Sequence, residues 1–158
     1  MTMKKLFKIA FIPLILVIAI SVISSKPPAM HSIQGTWELQ SFYNYDGQNI
    51  IDTVPLAEGY RQIKMYYNGK VMWSRTTSSD TKDADGNNVV GRFGYGTYMI
   101  TDTELIETIE YGDIGMMTAL DTIRHFTFEL VLGDHNFSQI SSDENGNRTF
   151  SENYKRID

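Results

Sequence analysis

Cysteine is absent from this sequence of 158 residues, and cationic side chains are few. Without cysteine, disulfides, zinc-thiolate sites and thiol nucleophiles are excluded for the whole chain. The 14 lysine and arginine residues, against 19 aspartate and glutamate residues, give a formal net charge of −5. Such an acidic balance argues against binding to nucleic acid and against electrostatic binding to an anionic membrane surface.

The motifs that carry catalysis or metal binding are also missing. No serine or threonine stands in a nucleophile-elbow or lysine-dyad context, and no glycine-rich loop has the spacing of a phosphate site. The three histidines are far apart in the sequence, so a shared metal site is not expected. Residues 141–152 match some offsets of a calcium loop, but the first ligand would be Ser141, and a hairpin explains the segment. We therefore expect no metal, no cofactor and no enzymatic activity.

A long hydrophobic run is present at the N-terminus alone. Lys4, Lys5 and Lys8 precede the uncharged segment "IAFIPLILVIAISVISS", residues 9–25. A basic start, an apolar middle and small residues after it are typical of an export signal. Because the run is nearly long enough to span a bilayer as a hydrophobic helix, an uncleaved membrane anchor is the alternative. Either reading predicts that the rest of the chain is exported across the cytoplasmic membrane, to the periplasm, to the envelope or outside the cell.

Composition divides the chain into three parts. Residues 1–25 are the signal peptide or anchor, residues 26–32 are a linker that contains "KPP", and residues 33–158 are one folded domain. Removal of the first part takes away three lysines and no acid, so the formal charge changes from −5 to −8. The remaining length is sufficient for one buried core and too short for two comfortable domains.

Strand signals dominate the folded domain. Eight segments are rich in aromatic and β-branched residues with a period of two, namely residues 36–45, 61–67, 70–76, 89–100, 103–111, 122–132, 135–141 and 148–157. Short turn signals separate neighbouring segments, as at Asn68–Gly69, Thr101–Asp102, Gly133–Asp134 and residues 143–147. Sequential hairpins of this kind predict an all-β fold: an antiparallel up-and-down β-barrel of eight or slightly more strands.

Two connections are longer than a hairpin turn. Residues 46–60 contain the apolar side chains of Ile50, Ile51, Val54 and Leu56, which a loop exposed to solvent does not need. We interpret this segment as a lid over one mouth of the barrel. Residues 77–88 are rich in glycine, aspartate and asparagine, which predicts an exposed hairpin tip.

The start of the first strand carries a family resemblance. The stretch "GTWEL", residues 35–39, resembles the Gly-x-Trp signature of lipocalins and the wider calycin group. The stretches "GYGTY", "ELIETIEY" and "ENYKRI" are similar to a lipocalin-like family of uncharacterised secreted proteins from Bacteroidota. The resemblance covers residues 33–158 and implies a lipocalin-like barrel.

The resemblance also implies a structural role for the signature. In lipocalins the tryptophan packs across the closed end of the barrel under a basic residue from late in the chain. Here Gly35 and Trp37 match the signature, and Arg156 is the matching basic residue, with Arg148 as second candidate. The Arg-x-Tyr pair with which fatty-acid-binding relatives hold a carboxylate is reversed here, as Tyr154 and Arg156, so carboxylate binding is not implied.

Alternation predicts which side chains face inward. The more apolar parity of the strands comprises Trp37, Leu39, Tyr43, Tyr45, Ile63, Met65, Tyr67, Val71, Trp73, Phe93, Tyr95, Met99, Leu105, Ile109, Tyr111, Phe126, Phe128, Leu130, Leu132, Phe137, Phe150 and Tyr154. Three charged residues share this parity: Arg75, Glu107 and Glu152. An unpaired buried charge is costly, so these residues must pair, reach the open mouth or contact a polar ligand, unless a bulge turns them to solvent.

These patterns leave three functional hypotheses open. The leading one is that the barrel binds a small hydrophobic or amphipathic ligand in a pocket formed by Trp73, Arg75, Tyr95, Glu107, Phe128, Glu152 and Tyr154. The second is a non-enzymatic interaction module of the cell envelope, with a filled barrel that recognises protein or glycan through its mouth loops. The third is a barrel enzyme acting through Glu107 or Glu152 with Arg75. A cavity above about 300 Å³ favours the first hypothesis.

Overall fold

The computed structural model describes residues 32–76, 82, 86–88 and 90–158. The predicted signal or anchor, the linker before Ser32 and most of the predicted hairpin tip at residues 77–88 lie outside the described residues. Within these described ranges, no helix is both long and apolar enough to cross a membrane.

The described residues form nine strands and one short helix. The elements are β1 (Gly35–Gly47), β2 (Asn49–Pro55), β3 (Gln62–Tyr67), β4 (Lys70–Arg75), β5 (Arg92–Ile100), β6 (Glu104–Gly112), α1 (Ile114–Leu120), β7 (His125–Leu132), β8 (Asn136–Ser142) and β9 (Arg148–Arg156). All strand pairs are antiparallel, in the order β2-β1-β3-β4-β5-β6-β7-β8-β9, and β1 also pairs with β9. The β1–β9 pairing closes the sheet into a ring. The predicted all-β class and antiparallel pairing are confirmed.

The predicted lid over residues 46–60 is wrong for most of its length. Residues 49–55 form β2, which pairs with the second half of β1, so that Phe42 lies opposite Val54. Ile50 and Ile51 are 53% and 65% exposed, so their apolar character reflects the β propensity of an outer strand rather than cover for a cavity. Leu56, just after β2, does pack against the core.

Two of the predicted hairpins show how turn residues set the register. Asn68 and Gly69 both have positive φ angles, 47° and 75°, and join β3 to β4 as a two-residue turn. The turn predicted at Gly133–Asp134 lies one residue later, at Asp134–His135, because the N–H of Gly133 donates to the carbonyl oxygen of Asn136 (2.9 Å). The strand before it, β7, ends at Leu132 as predicted, but it begins at His125 rather than at residue 122.

Helix α1 is an element that the strand pattern does not predict. It fills the connection between β6 and β7, and Asp113 caps it, because its side chain accepts a hydrogen bond from the N–H of Met116 (2.9 Å). That bond is the main cause that lowers the pKa of Asp113. The sequence signal is an aspartate at the N-cap position, three residues before the helix formers of "MMTAL", which is a recognised helix start.

The side chains of β3 face the opposite way from the prediction. Gln62, Lys64 and Tyr66 are buried, whereas Met65 and Tyr67 are 44% and 76% exposed. Both parities of "QIKMYY" carry apolar residues, so alternation alone does not decide between them.

Strand β5 is reversed as well, for a steric reason. Gly94 and Gly96 are buried, and Phe93 and Met99 are 46% and 65% exposed. A side chain at Gly96 would collide with the backbone carbonyl of Thr108 on β6. The inward face of β5 therefore needs glycine, and the apolar parity turns outward.

Bulges account for two further differences. A register shift between Leu39 and Ser41 changes the alternation of β1, so that Phe42, rather than the predicted Tyr43, packs against the core. A second shift, where β6 pairs with β5, turns Tyr111 outward to 55% exposure while Ile109 stays buried.

The core lies at the end of the ring where β1 begins. It is formed by Ile33, Trp37, Leu39, Tyr66, Val71, Leu105, Leu130, Phe137 and Tyr154. Phe137 lies at its centre, with its ring centroid 4.9 Å from that of Trp37 and 4.7 Å from that of Tyr154. Buried aromatic side chains, packed together with aliphatic ones, therefore occupy this end of the ring.

Candidate functional site

The predicted pairing of Trp37 with Arg156 is present at the filled end. Trp37 is 0% exposed, and its indole N–H donates to the carbonyl oxygen of Ile33 (2.7 Å). The guanidinium carbon of Arg156 lies 4.2 Å from the indole centroid. Such cation–π packing stabilises the closed end without implying chemistry.

The guanidinium of Arg156 also connects the last strand to the segment directly before β1. It donates to the carbonyl oxygens of Gln34 (2.7 Å), Ser32 (2.9 Å) and Asp134 (3.2 Å). Gly35 has a φ of +138°, and a side chain there would collide with Nη1 of Arg156. The Gly-x-Trp signature is therefore explained by structure: glycine leaves room for the arginine that covers the tryptophan.

A cavity of about 260 Å³ lies inside the ring, beyond the core. Its lining residues are Gln62, Lys64, Trp73, Arg75, Glu107, Ile109, Met116, Leu120, Phe126, Phe128, Gln139 and Glu152. Five predicted pocket residues are among them: Trp73, Arg75, Glu107, Phe128 and Glu152. The three charges predicted on the inward parity therefore all meet at one cavity.

Tyr154 lies directly behind the cavity wall. It is 1% exposed, its hydroxyl donates to Oε2 of Glu152 (2.5 Å), and it accepts from Nε2 of Gln62 (2.6 Å). Burial first, and then the charge of Glu152, raise the pKa of Tyr154 well above its ordinary value. The phenol therefore stays protonated and orients the carboxylate.

Tyr95 lies away from the cavity, on the outer face of the sheet. Its ring stacks on that of Tyr111 with centroids 5.0 Å apart, and Nζ of Lys70 lies 5.5 Å from its centroid. Its outward direction follows from the buried glycines of β5 on either side of it. The prediction of Tyr95 as a pocket residue does not match this position.

A buried ion pair forms the floor of the cavity. Nζ of Lys64 donates to Oε1 and Oε2 of Glu107 (3.0 and 3.1 Å) and to Oε1 of Gln139 (2.6 Å). The hydroxyl of Tyr66 donates to Oε1 of Glu107 (2.5 Å). The side chains of Lys64 and Glu107 are 4% and 5% exposed, so each charge depends on the other.

Lys64 is a site residue that the alternation pattern does not reveal. A signal for it exists nonetheless, because an inward glutamate such as Glu107 requires a cationic partner. Burial, followed by the charge of Glu107, raises the pKa of Tyr66 well above its ordinary value. The phenol thus remains a hydrogen-bond donor to the pair at neutral pH.

A second polar group lies nearer the mouth. The hydroxyl of Tyr60 donates to Oε1 of Gln62 (2.9 Å), whose Nε2 reaches Tyr154 and, at 3.4 Å, Glu152. Burial raises the pKa of Tyr60, and its hydrogen bond with Arg75 opposes that shift. Arg75 also donates from Nε to the carbonyl oxygen of Val90 (3.3 Å).

Arg75 stands between two cavities. The second, of about 710 Å³, is lined by Phe42, Val54, Pro55, Leu56, Ala57, Tyr60, Arg75, Lys82, Asn88, Val90 and Arg92. Its described charged residues are all cations, in a chain of net charge −5.

The apolar wall of the inner cavity includes the short helix. Met116 and Leu120 of α1 lie across it, together with the rings of Trp73, Phe126 and Phe128. A side chain at Gly112 would collide with the terminal methyl group of Met116, and a side chain at Gly94 would collide with the indole of Trp73. Gly112 therefore allows the helix to pack closely over this part of the ring, and Gly94 leaves room for the Trp73 ring.

In the part of the chain that the structure describes, no group of three or more histidine, aspartate or glutamate side chains could hold a metal ion. The polar groups that meet at the cavity are instead amides, carboxylates, phenols and cations, which suit hydrogen bonding to an organic molecule.

Comparisons with known proteins bear on the fold. No family model and no curated protein matches the sequence. A crystal structure of a lipocalin-like protein from Bacteroides uniformis is similar, with 13% identity and a TM-score of 0.48, over 79% of this chain and 98% of that one. An uncharacterized protein from Bacteroides eggerthii is similar with 14% identity and a TM-score of 0.49, over 80% of this chain and 100% of that one.

Proposed function

We propose that this chain binds a small, partly apolar ligand in its inner cavity, that the closed sheet acts as a lipocalin-like barrel, and that the protein is not an enzyme. One observation supports the proposal above all: polar side chains that are 3–6% exposed line the floor of a cavity whose walls are aromatic. Burying apolar side chains at the floor would cost less free energy, since the desolvation of charges is unfavourable. A ligand with a polar end would form hydrogen bonds with these residues, which explains why polar side chains stand there.

The volume bounds the ligand. At about 260 Å³, the cavity falls short of the volume of about 300 Å³ above which the first of the three hypotheses is favoured, so the proposal rests on the lining and not on the volume. The ligand is therefore small, with a polar group on the floor and a short apolar body against Trp73, Phe126 and Phe128. Aromatic filling of the barrel is confined to the other end, around Phe137, which favours binding over the filled-barrel interaction module.

For the location we propose export across the cytoplasmic membrane. The support is the basic and apolar pattern of residues 1–25. Cell fractionation with mass spectrometry of the purified chain tests this: a periplasmic, envelope or secreted protein is expected, shortened if the signal is cleaved. Recovery of the whole chain in the cytosol would contradict it.

The two tryptophans allow a direct binding test, because Trp37 is sealed and Trp73 lines the cavity. Titration with 1-octanol, an apolar chain with one hydroxyl, is expected to change the emission of the protein. In Trp73→Phe, where Trp37 remains as emitter, the change is expected to disappear. Calorimetry on both proteins separates loss of the reporter from loss of binding.

A blocking variant places the ligand in the cavity. Leu120→Phe on α1 narrows the lining, while Ala119→Phe, on the exposed side of the same helix, is the matched control. Binding of 1-octanol is expected to weaken in the first variant and to stay unchanged in the second. Absence of any binding, or equal binding in both variants, would overturn the proposal and leave the interaction module as the better hypothesis.

A further inference from the structure

The amide of Gln139 presents unused donors to the cavity. Gln139 is 6% exposed, and its Oε1 accepts from Nζ of Lys64 (2.6 Å). Because an ammonium can only donate, this bond fixes which end of the amide is oxygen. Its Nε2 makes no hydrogen bond to any other described residue.

The carboxylate of Glu152 presents an unused acceptor. Its Oε2 accepts from the hydroxyl of Tyr154 (2.5 Å) and, at 3.4 Å, from Gln62, whereas Oε1 accepts from none of the described side chains. Across the described residues, Nη1 of Arg124 is the one buried side-chain nitrogen or oxygen that is sealed from solvent without a hydrogen bond. Nε2 of Gln139 and Oε1 of Glu152 are therefore open to the cavity rather than sealed in the core.

Strand register brings these two groups together. Gln139 on β8 lies directly opposite Glu152 on β9, and both line the cavity. Side chains of such a pair start from Cβ atoms about 4.5–5.5 Å apart on the same face of the sheet. The floor thus offers an N–H donor beside a carboxylate acceptor.

The charges around this pair disfavour an ionic head group. The ammonium of Lys64 already makes three hydrogen bonds, so it has no N–H left for a ligand carboxylate. Glu152 repels an anion, and the donor of Gln139 together with the cation of Arg75 is unfavourable for an ammonium group. A neutral group with its acceptor and its donor on two separate atoms fits both unused atoms side by side, whereas a hydroxyl has to serve both with one oxygen.

We infer that the ligand of this cavity carries an uncharged carboxamide group, primary or secondary, whose oxygen accepts from Nε2 of Gln139 and whose N–H donates to Oε1 of Glu152. This inference rests on the proposed function. It names the chemical class of the head group, which the volume and the apolar wall do not determine.

Four ligands with the same eight-carbon chain test the head group: octanamide, octanoate, octylammonium and 1-octanol, each titrated calorimetrically at pH 7.5. Octanamide is expected to bind at least about tenfold more tightly than octanoate and octylammonium, since one hydrogen bond to a charged group is worth about that factor. If octanoate binds as tightly as octanamide or more tightly, the head group is a carboxylate bound by Arg75, and the inference is overturned. Equal or tighter binding of octylammonium would overturn it as well.

Two variants locate the contacts. Glu152→Gln keeps the shape of the side chain and removes the charge, so octanoate is expected to gain affinity and the preference for octanamide to fall below about threefold. Gln139→Leu is expected to reduce octanamide to the affinity of 1-octanol. Gln40→Leu, the same substitution at an exposed position of β1, is the matched control and is expected to leave all four affinities unchanged.

The outcomes separate this inference from the proposed function. If 1-octanol binds as tightly as octanamide and Gln139→Leu changes neither, the cavity binds ligands but the carboxamide assignment is overturned. If none of the four ligands binds to the unmodified protein, the proposed function and this inference fail together. If Gln139→Leu destabilises the whole protein, Glu152→Gln still tests the inference, because it is judged by the ratio of two affinities measured on the same variant.

Discussion

The two tryptophans occupy opposite regions of the ring. They differ in how many of the polar groups around them have hydrogen-bond partners. Trp37 is sealed, its indole N–H is bonded, and the guanidinium above it makes three bonds to backbone carbonyl oxygens. Trp73 is half-buried beside Glu152 and Gln139, each of which keeps a polar atom open to the cavity. A cation and a large aromatic side chain are near each other in both places, so residue type does not separate structure from binding. The difference lies in the hydrogen bonds: complete at the closed end, incomplete at the cavity.

The largest expected effect comes from breaking the buried pair on the cavity floor. Lys64→Met leaves Glu107 buried without its cation and is expected to lower the free energy of unfolding by about 3–5 kcal/mol. The double variant Lys64→Met with Glu107→Leu is expected to recover most of that loss, because no charge is then left uncompensated. Urea denaturation measures both. A single variant that costs as little as the double variant would show that the pair does not depend on mutual compensation.

Sequence predicts the elements of the closed end better than those of the cavity, for physical reasons. Trp37 and Arg156 follow from a local signature whose glycine has a steric purpose. The inward faces of β3 and β5 depend instead on tertiary contacts. Lys64 is buried because Glu107 lies across the ring, and Tyr95 faces outward because the glycines on either side of it are needed inside. Alternation within one strand carries none of this information.

The next largest effect is expected from replacing Arg156 at the closed end, compared with replacing Arg75 at the cavity. Arg156→Met removes four hydrogen bonds, one of them in the ion pair with Asp158, and the cation–π contact with Trp37, and is expected to cost about 2–3 kcal/mol of stability. Arg75→Met at the cavity removes one long bond to Val90 and the contact with Tyr60, and is expected to cost less than about 1 kcal/mol. Thermal or urea unfolding checks both. Equal losses would remove the distinction between the two ends.

A glycine exchange tests the closed end more finely. Gly35→Ala forces a side chain into Nη1 of Arg156 at a φ of +138°, with an expected cost of about 1–3 kcal/mol. Gly47→Ala also has a positive φ, +60°, but open space around it, so it measures the cost of a left-handed backbone without a collision, about 1 kcal/mol. If both variants lose the same stability, contact with the arginine is not what Gly35 provides.

The smallest effect concerns the helix at the cavity, and it depends on pH. Asp113→Ala removes the cap of α1 and is expected to cost about 1 kcal/mol at neutral pH. The pKa of Asp113 is lowered in the folded state, so its contribution is complete above the ordinary aspartate pKa and is lost as the pH falls through the lower folded value. The stability difference between the unmodified protein and Asp113→Ala should therefore shrink below about pH 4. Trp73 shares the cavity with Met116 of this helix, so its fluorescence emission should shift in Asp113→Ala. A difference in stability that stays constant down to pH 2 would contradict the capping role.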